Sequence, residues 1–479
     1  MVCKQQWGTG VRHIQILLLF LCLTTGTILS SSHVIAVQLA RETEADSSTY
    51  FEDTFKVEME KKTLDDIISL EFMSFYVFFI SRFLSGIICC KVNNKVYLML
   101  IMLLYSIQSY SLPSFAETSG WSSMISMRIL VGILDGLLMP VILQIATRWR
   151  PFPEYSRCIA TLSLGPFCGK LIVTALISFI GRSIGGWSSV FYISGNLGIL
   201  WVVAWFTFGA DEPRSCFYVS TEEELLISRL TTEVSTLYWD TPIPWKGLFK
   251  SKSMYVAIAM ELMTAWTTVF ITESSYMSIY MKEVQGYSED NVGIAFNYMS
   301  MIVLTPILCA ISMLCDWIIG KEMYPVIHQR KTCSSIGLWG SAICIVFIGY
   351  AENSRFILFT YYLYLAMQSF VFVSYSLLPF DVAPNFSGLI NAISTSVGSI
   401  PIMFLPSFVK LIVIQYNQDV LWNYMFYLAS LSYFSANFIY TILYEGKLEE
   451  FNNIKHKDVR SHSSKSTYHE EGIKWIISE

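Results

Sequence analysis

Apolar runs of about 20 residues recur along this chain, and each is long enough to cross the hydrocarbon core of a bilayer as a helix. Twelve fall near 13–38, 66–90, 95–113, 122–147, 158–180, 188–210, 253–279, 291–316, 333–351, 356–378, 388–412 and 421–444. Lipid offers no partner to backbone N–H and C=O groups, so these runs predict helices and exclude open strands. Composition agrees: 14% of residues are charged and mean hydropathy is +0.49, whereas soluble domains carry about 25% charged residues. The expected class is all-α integral membrane, with the bilayer as first partner. A net charge of -5 with no basic stripe speaks against nucleic acid. The first run, preceded by Lys4 and Arg12, has the form of a signal peptide, but the even span count favours keeping it as a helix.

Basic residues set the orientation. Lys91 and Lys95 follow span two, Arg148, Arg150 and Arg157 follow span four, Lys246, Lys250 and Lys252 precede span seven, and Lys321, Arg330 and Lys331 follow span eight. The alternate loops are poorer in basic residues or acidic, as at 41–53. Both termini are therefore expected in the cytosol. The expected organisation is an N-terminal six-helix bundle (1–210), a cytosolic middle loop (211–252), a C-terminal six-helix bundle (253–446) and a solvated cytosolic tail (447–479). The eleven cysteines lie inside apolar runs or at ends assigned to the cytosol, neither of which suits a lumenal disulfide framework. No metal-ligand spacing, nucleophile–base pair or phosphate loop stands out, and no enzyme or cofactor is expected.

Ionisable residues inside spans are costly and mark pathways. Arg128 and Asp135 in span four are seven positions apart, so they share a helix face about 10 Å apart along the axis. Gly132 and Gly136 beside them admit close approach by a helix or a solute, and Gly165 and Gly169 in span five admit close helix approach. Lys170 in span five is expected at the depth of Asp135, which predicts a pair or a shared exchange site. Its alternative is snorkelling into a crevice. Glu261 in span seven is a second candidate protonatable group, whereas Glu273 and His33 suit the outer ends of their spans. Arg82 is open between a cavity lining and a snorkelling anchor.

RILVGILDGLLMPVILQIATRWRPFPEYSR at 128–157 resembles the span-four pattern of anion transporters related to sialin, vesicular glutamate transporters and type I sodium–phosphate cotransporters. This is the anion:cation symporter branch of the major facilitator superfamily. GWSSVFYISGNLGILW at 186–201, DEP at 211–213, IPWKGLF at 243–249, YMKEV at 280–284 and DVAPNFSG at 381–388 follow in the family's order. The resemblance implies a divergent member with the major facilitator fold. It further implies a secondary active transporter of small anions, phosphate or organic carboxylates, coupled to Na+ or H+. Pro151, Pro153, Glu154 and Arg157 then form the cytosolic hinge between spans four and five, with Glu154 and Arg157 pairing with neighbouring helix ends.

This chain also departs from the pattern. Ser30 and Ser32 stand where a span-one Arg and Asn are usual, Thr264 lies where an Arg precedes Trp266, and Leu143, Leu378 and Pro379 replace polar residues. In the loop after span two, Cys90 takes the place of an Asp and Asn93 that of a Gly, while Asp316 survives in the second half. Each lost arginine would forfeit charge-assisted hydrogen bonds worth roughly 1.5–3 kcal/mol, which argues against a vesicular glutamate transporter. The expected pathway is Arg128, Asp135, Lys170 and Glu261, with Lys170 drawing the anion and Asp135 moving the proton. The alternative is a non-transporting receptor or scaffold descended from that family. Plasma and endo-lysosomal or vesicular membranes remain equally compatible, and oligomeric state has no signature here. In EEELLI at 222–227, an acidic dileucine signal competes with the first turns of an amphipathic helix capped by Ser220 or Thr221.

Overall fold

The computed structural model describes residues 10–42, 64–177, 186–230, 242–272, 299–405 and 418–452, with isolated positions between them at 179, 276–277, 280–281, 284–286 and 408. We number the longer helices α1 (Val11–Glu42), α2 (Leu64–Cys89), α3 (Asn94–Trp149), α4 (Tyr155–Leu176), α5 (Gly186–Phe208), α6 (Thr221–Leu230), α7 (Lys252–Thr272), α8 (Ser300–Gly320), α9 (Val326–Tyr350), α10 (Ser354–Phe372), α11 (Ser387–Gly398) and α12 (Gln418–Leu443). Among the described residues, eleven segments are long and apolar enough to cross a membrane, and Ser74–Cys89 in α2 is a shorter apolar helix. The protein is an all-α, multi-pass integral membrane protein.

Helix α3 accounts for two spans. Its 56 residues would reach about 84 Å if straight, nearly three bilayer cores. Yet its two ends meet. Asn94 N–H donates to Asp211 Oδ2 at 3.0 Å, and Arg148 Nη1 pairs with Asp211 Oδ1 at 2.5 Å. The helical run therefore folds back on itself between the apolar segments Asn94–Ala116 and Ser122–Trp149. Asn93 caps its start, its side chain accepting from the Lys95 and Val96 amides.

Small residues set the helix contacts. A Cβ at Gly132 would run into the Ser74 backbone, and one at Gly136 into Ser81 Oγ, so α2 seats against the second span of α3. At Gly165 a Cβ would lie 2.8 Å from Leu23 Cβ, and at Gly169 2.6 Å from the Thr24 carbonyl, which brings α1 onto α4. These four glycines admit helices, and that decides between the two uses left open for Gly132 and Gly136. Buried apolar residues gather into two main clusters. One draws mostly on α1, α3, α4 and α5, the other mostly on α7 to α12.

The segment after 446 departs from expectation at its start. Glu449 N–H donates to the Val382 carbonyl at 3.0 Å, and its carboxylate accepts from Ser251 and Ser253. Asn452 is buried and accepts the Asn385 N–H at 3.0 Å. These residues dock because they satisfy exposed backbone at the 381–388 turn, a long-range pairing that composition does not reveal. In the middle segment, Ser220 Oγ accepts the Glu223 amide at 3.2 Å and Ile227 is buried, as a capped amphipathic helix requires. Glu223 in turn accepts the Val11 and Arg12 amides at 3.1 and 3.0 Å, capping α1.

Candidate functional site

Ionisable side chains collect in two places. The first lies within the spans. Tyr105 OH donates to Asp135 Oδ1 at 2.8 Å, and Tyr105 is fully buried on the first span of α3. Arg128 Nη1 donates to the Ser30 carbonyl at 2.9 Å, so α1 supplies backbone where the family resemblance led us to expect an arginine. The guanidiniums of Arg128 and Arg82 both act electrostatically on Asp135.

Arg82 is the residue that sequence reasoning left undecided. It lies on α2 with its guanidinium 4.6 Å from the centre of the Phe78 ring, a cation–π arrangement. It also acts on Glu261 of α7. One cation thus acts on a carboxylate of the N-terminal half and on one of the C-terminal half. Depth was the available signal, since Arg82 is nine residues, about 13 Å, inside the basic end at Lys91.

The predicted pair of Asp135 with Lys170 is not made. Asp135 accepts from Tyr105 and feels Arg128 and Arg82 electrostatically, and Lys170, half-buried on α4, makes other contacts. Equal depth on two helices does not fix which way each side chain faces, and that is why the inference failed. Glu273 and the side chain of His33 lie outside the described residues.

Glu261 begins a polar row along α7. Thr264 Oγ1 and Tyr375 OH are 3.0 Å apart, Thr268 Oγ1 and Tyr433 OH 2.8 Å, and Thr272 Oγ1 and Tyr364 OH 3.3 Å. Gln368 Nε2 donates to Tyr433 OH at 2.9 Å. The spacing of the three threonines is one helical turn each, so their hydroxyls stack on one face. The C-terminal half thereby offers hydroxyls and an amide, while the N-terminal half offers most of the charge. Asp135, Arg82, Lys170 and Glu261 are each half-buried.

The second collection lies at the helix ends around residues 148–157. Pro151 and Pro153 close α3 with a short turn, and Glu154 there is buried against Arg150 at 2.5 Å, Arg12 at 3.3 Å and Arg157 at 3.8 Å. Arg157 Nε reaches across to Asp316 of α8 at 2.7 Å, and Asp316 also accepts the Ser156 and Arg157 amides, each at 3.1 Å. Arg330 of α9 pairs with Asp381 at 3.0 Å and donates to Ser156 Oγ at 3.1 Å. Nearby, Gln144 and Thr147 of α3 bond to the 384–388 backbone. These contacts form a latch that ties the two halves at one end.

The family model described as Major Facilitator Superfamily matches residues 59–406. The chain belongs to this superfamily. Two relatives are vesicular glutamate transporter 1 of Xenopus tropicalis, 26% identical over 381 residues, and that of Bos taurus, 25% identical over 381 residues. The first match covers 78% of this chain and 64% of the frog protein, the second 78% and 66%. Human vesicular glutamate transporter 2 is 25% identical over 378 residues, covering 78% of this chain and 64% of that one. The chain thus spans just under two thirds of the length of these relatives. Among solved structures, the superfamily proton:xylose symporter XylE, bound to 6-bromo-6-deoxy-D-glucose, superposes with a TM-score of 0.67 over 92% of this chain and 99% of XylE at 15% identity. That likeness establishes the superfamily fold. The relatives agree with the anion:cation branch read from the motifs.

Proposed function

We propose that this protein is a secondary active transporter of small anions, such as inorganic phosphate or organic carboxylates, coupled to H+ or Na+ and working by alternating access. The observation that carries this reading is Arg82 acting on both Asp135 and Glu261, one carboxylate in each half. An anion arriving at Arg82 and Arg128 competes with those carboxylates, and protonating one of them frees a guanidinium for the solute. Binding of anion and binding of proton then favour each other, as symport requires. Tyr105, which donates to Asp135, fixes the carboxylate and gives the proton a hydroxyl neighbour. The threonine and tyrosine hydroxyls of the C-terminal half serve the uncharged part of the solute. Rocking of the halves about this site requires the latch at residues 150–157, 316 and 330 to break and re-form in each cycle.

The test is uptake of labelled phosphate and of a panel of organic anions by purified protein in proteoliposomes, under imposed proton, sodium or voltage gradients. Gradient-driven accumulation of one of these anions is expected. Folded protein that accumulates none of them under any gradient would overturn the reading.

A further inference from the structure

Two thiols face each other beside the latch. Cys315 lies near the end of α8 and Cys333 two turns into α9, with their Sγ atoms 3.8 Å apart. They are 18 positions apart in sequence, and the tight reversal at 321–325, where Glu322 adopts a φ of 52°, brings them together. Gln329 Nε2 donates to the Cys315 carbonyl at 3.0 Å, which fixes the register of the two helices. The Arg330 guanidinium acts electrostatically on both sulfurs.

We propose that Cys315 and Cys333 form a dithiol modification site that a low-molecular-weight disulfide oxidises reversibly to a bond joining α8 to α9. A disulfide is about 2.05 Å long, so the sulfurs must approach by about 1.8 Å, a shift within reach of side-chain rotation. In the first step one Cys thiolate attacks the reagent RSSR, forming a mixed disulfide and releasing RS⁻, which takes up the proton that the thiol lost. In the second step the other Cys loses its proton and displaces the remaining RS⁻ from the mixed disulfide. Two thiols and one RSSR become one protein disulfide and two RSH, a two-electron oxidation of the protein. Cys315 and Cys333 are 3% and 8% exposed. A cavity of about 170 Å³, lined by Cys309, Ser312 and Arg157 among others, opens one turn away along α8 and admits a small reagent to its flank. The positive-inside orientation puts this end in the reducing cytosol, where such a pair rests as thiols and responds to oxidation. Asp316 follows Cys315 directly and Arg330 precedes Cys333 by one turn, so the bond fixes both helix ends that carry the C-terminal half of the latch.

The test uses the full chain in membrane vesicles. The vesicles are treated with glutathione disulfide, the remaining thiols are alkylated after denaturation, and the digest is read by mass spectrometry. The expected product is a linked peptide pair holding Cys315 and Cys333, two hydrogens lighter than the reduced pair and restored by dithiothreitol. In the Cys333→Ser variant, Cys315 is expected to hold glutathione as a mixed disulfide. Recovery of both cysteines as alkylated thiols, at a reagent level that fully oxidises the denatured chain, would overturn the proposal. So would their linkage to other cysteines in place of each other.

Discussion

The latch and the mid-span cluster are built from the same residue types and are wired differently. In the latch, Asp316 is 2% exposed, Glu154 2% and Arg330 1%, and Asp316 alone accepts three N–H donors. In the cluster, Asp135 accepts from Tyr105, and among the described residues Arg82 Nε has no hydrogen-bond partner and Glu261 makes no hydrogen bond. Asp135, Arg82 and Glu261 are half-buried, and Arg128 is buried at 8% exposure. Charges that hold shape are saturated with donors and covered, because removing one partner of a buried pair is far costlier than the pair is stabilising. The charges of the proposed pathway are held by fewer bonds. The difference teaches where stability resides and where the proposed coupling would act.

The comparison predicts a graded series. Asp316→Ala removes the acceptor of Arg157 and two amides and is expected to destabilise by about 3–5 kcal/mol, read as a lower thermal midpoint in detergent. A midpoint equal to wild type would dissolve the distinction between latch and cluster. Asp135→Asn is expected to leave that midpoint within the range of a single neutral hydrogen bond, about 1 kcal/mol, while lowering gradient-driven uptake roughly ten- to a hundredfold. A large loss of stability instead would make Asp135 a structural residue. Gly132→Val, which drives a side chain into the Ser74 backbone, should cost about 1–3 kcal/mol, seen as lower folded yield with the ion dependence of surviving uptake unchanged. The smallest effect belongs to the exposed pair Lys252–Glu445, 3.4 Å apart. Lys252→Ala should leave both midpoint and uptake unchanged, since surface pairs contribute little.

Much of the fold was legible because lipid demands long apolar helices and because Arg128 and Asp135 stand out in an apolar run. Eleven spans among the described residues follow from hydropathy alone, and the back-folding of α3 obeys the same length rule. The hinge at 148–157 was legible as a helix stop, and the acceptor of Arg157 emerged only when α8 came across to meet it. The partners of Asp135 were not legible. Tyr105 carries no charge to mark it, the depth of Arg82 does not say which carboxylates it faces, and the Lys170 pairing rested on depth without facing direction. The Cys315–Cys333 contact was hidden for a related reason: each residue alone is a small apolar filler, and proximity arises only from the α8–α9 reversal.

The central claim is that Asp135 couples the gradient while other groups bind the solute. The most direct test compares net gradient-driven uptake with solute exchange at equilibrium, in proteoliposomes holding wild type or Asp135→Asn, using the anion that wild type accumulates. Exchange that persists in Asp135→Asn while net accumulation disappears is the predicted result. Undiminished gradient-driven accumulation in that variant would contradict the account and move the coupling group away from Asp135.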